Sequence, residues 1–312
     1  MKHSVPDNFL SYICGKLLGD GCIILQPGRK PRFQFIHTVS DLEWCQYCYE
    51  QLSPYLPLNP PTYRKTNDIR ISKGFTESYM VQSKTSEIIT YLESVWYTDQ
   101  RKKIIPFDFL EKHLDERALA WWYLDDGHLK INNNTPKKII LSTDNFSNSE
   151  NRVLIDVLQQ KFSLYFSIDG QNRLILYDQL QIYYFYKLVK PFLHQSMIRK
   201  MINTQVTTTN TPPKRTTIYL PKEINLSKPT REINNILDSL PLLHAIACDR
   251  DSYIYYYKKY FLQLKDVADT KSYQIKIDEK HWHIIQSIKS VTGLNNSQIA
   301  TICLTFKINK IP

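Results

Sequence analysis

Ile13-Cys14-Gly15-Lys16-Leu17-Leu18-Gly19-Asp20-Gly21 and Leu119-Ala120-Trp121-Trp122-Tyr123-Leu124-Asp125-Asp126-Gly127 follow one pattern: an apolar helical run, a carboxylate, then glycine. Glycine suits the left-handed backbone that stops a helix. The closing glycines lie 106 residues apart, and four of the chain's eight glycines fall in these two segments. An acid at that place is electrostatically misplaced, because the carbonyl end of a helix carries partial negative charge. A hard divalent cation resolves the conflict: Asp20 and Asp126, with carbonyl oxygens beside them, offer the all-oxygen shell that Mg²⁺ prefers. The small residues Cys14, Gly15, Gly19 and Ala120 permit close approach of the two helices, which brings both acids to a pseudo-twofold axis, as in a two-metal phosphodiester site. A single copy is as well explained by a capped core helix whose acid meets solvent; two copies in register are not.

Working outward, the same order of elements surrounds each motif. The first unit reads as a helix over 9–19, strands over 22–26 and 32–38, a helix over 41–52, a second strand pair over 68–72 and 75–82, and a helix over 85–96. The second reads as a helix from 116, strands over 128–131 and 137–142, a helix over 148–162, strands over 165–168 and 173–177, and a helix over 178–189. The order αββαββα occurs twice, so a duplicated unit is the natural reading. The fold class is α+β: two pseudo-symmetric αββαββα repeats, at 1–100 and 101–203, form saddle-like sheets, followed by a linker at 204–215 and a smaller, mainly helical extension at 216–312.

Composition narrows the functional classes. Of 312 residues, 42% are hydrophobic, too many for a disordered chain. Apolar runs fall well short of the roughly 20 residues a bilayer crossing needs, so no membrane partner is expected. The first residues carry one lysine and no apolar core, unlike a secretory signal, and six scattered cysteines make no disulfide framework. An intracellular protein is expected, in the cytoplasm of a bacterium or phage-infected cell, or in an organelle matrix. Forty basic against thirty acidic residues give a net charge of +10, which puts polyanions first among partners. Residues 1–200 hold 25 basic and 21 acidic residues, and 201–312 hold 15 and 9, so the shorter part is the more basic.

The two motifs, with Lys102-Lys103-Ile104-Ile105-Pro106 before the second and Leu188-Val189-Lys190-Pro191-Phe192-Leu193 leading to Lys200, resemble the single-chain, two-repeat LAGLIDADG homing endonucleases over about residues 8–205. The branch of the yeast mitochondrial omega-intron enzyme is the most similar. The resemblance implies a monomer that cuts double-stranded DNA at a long site and leaves short 3′ overhangs. It implies Mg²⁺ as cofactor, with roughly two or three ions shared between Asp20 and Asp126; Gly19 and Asp125 join the expected metal set. Lys103 and Lys200 carry over as the basic residue that each repeat sets near the scissile phosphate, where an ammonium can order the attacking water or offset developing charge. Trp121 stands where the family often has a small residue. A different class of function, a group I intron RNA maturase using the same basic surface, is the alternative; RNA binding alone would need neither acid.

Eight strands in two sheets can lie along a major groove with alternate side chains toward the bases. Arg32 and Gln34 alternate with Phe33 and Phe35, and Arg70 and Ser72 with Ile69 and Ile71. Lys137, Lys138, Gln171 and Arg173 are the counterparts in the second repeat, and Arg29, Lys30, Arg64, Lys65 and Lys130 are expected in turns near the groove or backbone. Because the repeats differ at these positions, the target should be asymmetric, unlike the palindromes that homodimers read.

In the extension, strand, helix, helix occurs twice: 216–220 with helices over 229–239 and 252–264, and 272–277 with helices over 279–291 and 296–306. The second copy, with Gly293 between its helices, resembles ribbon-helix-helix DNA-binding modules. Pairing of the two strands would set Thr217, Tyr219, Gln274 and Lys276 on a groove side. A helical bundle that only buttresses the core is the competing reading. Cys45-x-x-Cys48 has no second pair and reads as helix rather than zinc site.

Overall fold

A computed structural model of the protein describes residues 6–202, 213–265 and 269–309. The first repeat runs α1 (Asp7–Leu18), β1 (Cys22–Ile24), β2 (Arg32–Thr38), α2 (Leu42–Leu52), β3 (Thr62–Asn67), β4 (Phe75–Gln82) and α3 (Glu87–Trp96). A short helix, α4 (Phe107–His113), leads to the second repeat: α5 (Glu116–Asp126), β5 (Gly127–Asn132), β6 (Thr135–Leu141), α6 (Asn148–Phe162), β7 (Ser167–Ile168), β8 (Leu174–Leu176) and α7 (Gln179–Val189). Each repeat builds one four-stranded antiparallel sheet, ordered β1-β2-β4-β3 and β5-β6-β8-β7. The identical strand order makes the duplication a property of the fold.

The chain divides into two compact units. One runs to Tyr177 and takes in Val189–Met201; the other comprises Asp178–Leu188 and the chain from Ile202 onward. In the first unit Phe9, Ile13, Leu17, Phe33, Phe35, Trp44, Leu119 and Trp122 are fully buried. They alternate at period two along β2 and lie on the inward stripes of α1, α2 and α5, so burial of one face per element organises the core. The second unit holds β9 (Thr216–Pro221), α8 (Pro229–Leu237), α9 (Leu240–Cys248), α10 (Arg250–Tyr256), β10 (Thr270–Ile275), α11 (Glu279–Thr292) and α12 (Asn296–Ile308). Its interior includes the stacked rings of Tyr184 and Tyr257, 3.6 Å apart. Among the described residues, no helix is long and apolar enough to cross a membrane.

Several elements differ from the sequence reading. The strand expected over 68–72 is a turn, and the strand that pairs with β4 is Thr62–Asn67. Asp68 makes the turn by accepting hydrogen bonds from the Arg70 backbone N–H at 3.1 Å and its Nε at 2.9 Å, and Gly74 closes it at φ +72°. Every residue of β3 is exposed; a strand with no buried face carries no apolar alternation. The single helix expected over 252–264 is instead α10 followed by a π-helical turn, Tyr257–Phe261, and a 3₁₀ segment, Leu262–Lys265. Asp249 starts α10 afresh by accepting from the Ser252 N–H at 2.8 Å, which separates it from the additional helix α9. Of the linker expected over 204–215, residues 204–212 lie outside the described residues.

Candidate functional site

Helices α1 and α5 pack at glycines on the α1 side alone, Gly15 and Gly19. Gly19 (φ −98°) and Gly127 (φ −81°) end their helices without the left-handed backbone expected of a helix-ending glycine. A Cβ on Gly15 would sit 2.4 Å from the Ala118 carbonyl oxygen and 2.7 Å from Trp121 Cβ; one on Gly19 would sit 2.5 Å from Asp125 Cβ. Both distances to α5 lie inside van der Waals contact, so only glycine permits this approach. Trp121 therefore does not hold the helices apart. Its Cβ faces Gly15 while its ring packs 4.2 Å from Tyr12 and edge-on to Trp44 at 5.4 Å.

Where the helices end, a buried cluster of charge forms around Asp125. Lys16 Nζ donates to Asp125 Oδ1 at 2.8 Å and Oδ2 at 3.0 Å, and both side chains are wholly shielded from solvent. Trp44 Nε1 donates to Asp125 Oδ1 at 2.9 Å, and the Asp20 backbone N–H reaches Oδ2 at 3.2 Å. Lys16 Nζ also lies 2.8 Å from His37 Nε2, and His37 Nδ1 lies 3.2 Å from Asp20 Oδ2. Burial, and then Lys16, push the His37 pKa down to about 3, so its ring is neutral. An ammonium can only donate, which makes Nε2 the acceptor and leaves the Nδ1 proton for the Asp20 carboxylate. A continuous chain runs from Asp125 through Lys16 and His37 to Asp20. Burial pulls the Lys16 pKa down, but the Asp125 carboxylate outweighs it and the net shift is upward.

Asp20 lies two residues beyond α1, and Asp126 is the last residue of α5. Burial, then repulsion from Asp125 and more weakly from Asp126, outweigh Lys16 and Lys200 and hold Asp20 at about 8. The same two causes, in the same order, push Asp126 up to about 6. Lys103 Nζ donates to the Gly21 carbonyl at 3.0 Å. Lys200 Nζ reaches the carbonyls of Leu124 at 2.5 Å, Asp125 at 2.8 Å and Tyr123 at 3.3 Å. Each lysine closes the carbonyl end of one motif segment, where a cation is favoured, and burial lowers both to a pKa of about 8.

The structure thus brings Asp20, Asp126, Lys103 and Lys200 into one electrostatic neighbourhood. Asp125, expected in the metal set, has its oxygens engaged by Lys16, Trp44 and the Asp20 N–H. Gly19 contributes the room that Asp125 occupies. Among the described residues, Asp20, His37 and Asp125 have ligand atoms within 4.8 Å of one another. Lys16 already stands between Asp125 and His37, and a second cation there would meet its charge. The carboxylates of Asp20 and Asp126, both raised in pKa by burial and by Asp125, are hard oxygen donors of the kind a divalent ion takes. Lys16, His37 and Trp44 were not evident as site residues in the sequence. A lysine inside an otherwise apolar motif helix is the one local signal, since a buried ammonium needs a partner.

The open faces of the two sheets follow from register. In the first, Arg32 and Gln34 of β2 share a face with Gln82 and Ser78 of β4 and Thr62 and Arg64 of β3; Gln82 Nε2 donates to Gln34 Oε1 at 3.2 Å. Arg64 and Lys65 are strand residues rather than turn residues, and Lys65 lies on the opposite face, its Nζ 3.7 Å from the centre of the Phe75 ring. Arg29 and Lys30 occupy the exposed β1–β2 turn, as expected. Arg70 and Ser72 belong to the β3–β4 turn, where Arg70 is paired with Asp68 at 2.8 Å. In the second sheet Lys130 lies on β5, directly opposite Lys138 on β6, with His128 on the same face. Lys137 belongs to the other row of β6. Gln171 and Arg173 precede β8 in a turn built on Asp169, which Arg173 grips at 2.7 and 3.0 Å. The sequence reading overlooked Thr62, Ser78, Gln82 and His128, although the polar alternation of Thr76, Ser78 and Gln82 pointed to that face.

Comparison with known proteins accords with this geometry. The profile of the LAGLIDADG DNA endonuclease family matches residues 10–205. A probable intron-encoded endonuclease 1 of Wickerhamomyces canadensis is 28% identical over 200 residues, which cover 61% of this chain and 82% of that protein. The uncharacterised protein MJ1098 of Methanocaldococcus jannaschii is 27% identical over 205 residues, covering 64% and 75%. Among solved structures, the homing endonuclease I-WcaI bound to its DNA recognition sequence superposes with a TM-score of 0.56 at 23% identity, over 64% of this chain and 88% of that one. With the matched profile spanning both motifs and both sheets, the chain belongs to the LAGLIDADG DNA endonuclease family.

Proposed function

We propose that this protein is a site-specific homing endonuclease that hydrolyses both strands of a long, asymmetric DNA target with Mg²⁺ and leaves short 3′ overhangs, acting as a monomer. The observation that carries the reading is the pair Asp20 and Asp126, one from each repeat, half-buried at the ends of two closely packed helices and held well above the ordinary carboxylate range. Such a pair is unfavourable alone and is relieved by a divalent cation. Asp20 and Asp126 would hold the ions, and a divalent cation held there would make a coordinated water more acidic and offset charge on the phosphoryl oxygens. Asp125 fixes the Asp20 backbone and, through Lys16 and His37, orients its carboxylate. Lys103, against Gly21 of the first motif, and Lys200, against the end of the second, have pKa values of about 8, at which each can pass a proton near neutral pH.

Lys130 opposite Lys138 supports a polyanion above the second sheet, because like charges directly across a strand pair are destabilising until an anion neutralises them. Arg32, Gln34, Gln82 and Arg64 offer donors and acceptors to base edges above the first sheet. The two faces differ residue for residue, which supports an asymmetric site. The test is cleavage of a library of randomised circular duplexes by the full chain in Mg²⁺. Wild type should linearise members that share one asymmetric sequence, and Asp20→Asn or Asp126→Asn should each slow cutting by roughly a thousandfold with DNA binding retained. Intact circles throughout, together with tight binding of structured intron RNA, would give the maturase reading instead.

A further inference from the structure

We infer that the C-terminal unit is a second reader of duplex DNA, whose two-stranded ribbon enters a major groove of its own. The inference deepens the nuclease reading by adding a separate block to the target. β9 and β10 pair antiparallel over six residues each, with Thr217 opposite Gln274 and Tyr219 opposite Ser272. One row of the ribbon, Ile218, Leu220, Tyr273 and Ile275, is buried. The other row, Thr217, Tyr219, Ser272 and Gln274, is exposed, as is Lys276 just beyond the strand. Tyr219 keeps 51% of its surface in solvent. Among the described residues, the ribbon therefore has an apolar side seated on helices and a polar side open to solvent.

What sits behind the ribbon makes it rigid. α8 packs on α12 and α9 on α11, so helices that follow β9 meet helices that follow β10 in reciprocal pairs. The Tyr219 backbone N–H donates to Ser297 Oγ at 3.0 Å, tying β9 to the start of α12. Two strand-helix-helix halves thereby act as one body within a single chain, where a homodimer would need two.

Charge selects the occupant. Segments 214–222 and 269–276 carry five basic residues, Lys214, Arg215, Lys222, Lys271 and Lys276, against one acid, Asp269. Arg215 Nη1 donates to Gln274 Oε1 at 3.3 Å, which brings a guanidinium to the exposed row. A major groove of B-form DNA is wide enough for a two-stranded ribbon, and Arg, Gln and a threonine methyl are the groups that distinguish guanine, adenine and thymine there. The deep, narrow major groove of an RNA helix excludes it. Six residues of strand span about 20 Å, the length of roughly six base pairs.

The experiment is selection of bound members from a pool of random linear duplexes, with the full-length wild type and the full-length Thr217→Ala/Gln274→Ala variant, whose altered side chains lie on the exposed row and leave the core intact. Wild type should enrich two sequence blocks, and the variant should lose one block of roughly six base pairs while keeping the other, with affinity for the wild-type winner reduced about tenfold or more. An unchanged two-block consensus in the variant, or a single block or none for wild type, overturns the inference. Cleavage is scored separately on the winners. Two enriched blocks without any cutting would spare the ribbon and sink the nuclease; one block cut efficiently would do the reverse.

Discussion

Lys16 commits all it has to give: its ammonium reaches both oxygens of Asp125 and the Nε2 of His37, each within 3.0 Å, with no solvent access to either charged partner. Ion pairs this deeply buried contribute little as a pair, since desolvation offsets attraction, but removing one member strands the other in a medium that cannot solvate it. Lys16→Met should therefore cost about 3–5 kcal/mol, and Lys16→Met/Asp125→Asn should recover most of that loss, because the amide needs no counter-charge. Urea denaturation of the four-member cycle measures both. A small cost for Lys16→Met would mean that water reaches Asp125 and that the chain from Asp125 to Asp20 is not held as described. Asp20 and Asp126, the carboxylates we propose for metal binding, stand in contrast: among the described residues neither forms an ion pair with a lysine or arginine, which on our proposal leaves them to an exogenous cation.

At the scale of elements, the crossing of α1 and α5 depends on a missing methyl group. The nearest neighbour of a Cβ at Gly15 would be a backbone carbonyl at 2.4 Å, which cannot swing aside as a flexible side chain would. Gly15→Ala should cost about 1–3 kcal/mol and, by prising the two helix ends apart, reduce cleavage much more than DNA binding; paired thermal melts and cutting assays on the full chain distinguish the two effects. The motif helices were legible in sequence because their signals are local: an apolar run, an acid, a glycine. The same holds for α6, where Ser147 and Glu150 form a reciprocal cap and the expected span 148–162 matches the helix. β3 was not legible, since all its residues face solvent and its identity comes from pairing with β4, eight or more residues away. The partnership of Lys16 with Asp125 spans 109 residues and leaves only an out-of-place lysine as its local trace. Asp20 and Asp126 could be named from the repeat, and Lys103 and Lys200 only from the family resemblance; the partners of Asp20 and Asp125 needed the fold.

For the whole molecule, the buried site imposes a pH dependence on stability whose sign follows from its shifts. Asp20 and Asp126 are raised from 3.8 to about 8 and about 6, so the folded chain binds more protons than the unfolded one and loses stability as pH rises through those windows. His37 is lowered from 6.5 to about 3, which works the opposite way between those values. Lys103 and Lys200, lowered from 10.5 to about 8, add stability only as pH climbs above about 8. From about pH 6.5 to 8 the His37 and Asp126 contributions are nearly complete, and the lysines, half deprotonated at about pH 8, are common to the wild type and Asp20→Asn, which leaves Asp20 as the group that sets the two proteins apart. In chelator, the wild type should lose about 1–2 kcal/mol across that interval relative to Asp20→Asn, so the inactive variant should be the more stable protein at pH 8. Adding Mg²⁺ should raise the wild-type melting temperature more at pH 8 than at 6.5, because protons and cations compete for the same carboxylate. Parallel melting curves for the two proteins, or a Mg²⁺ increment equally large in Asp20→Asn, would place the ionised group and the cation somewhere other than Asp20.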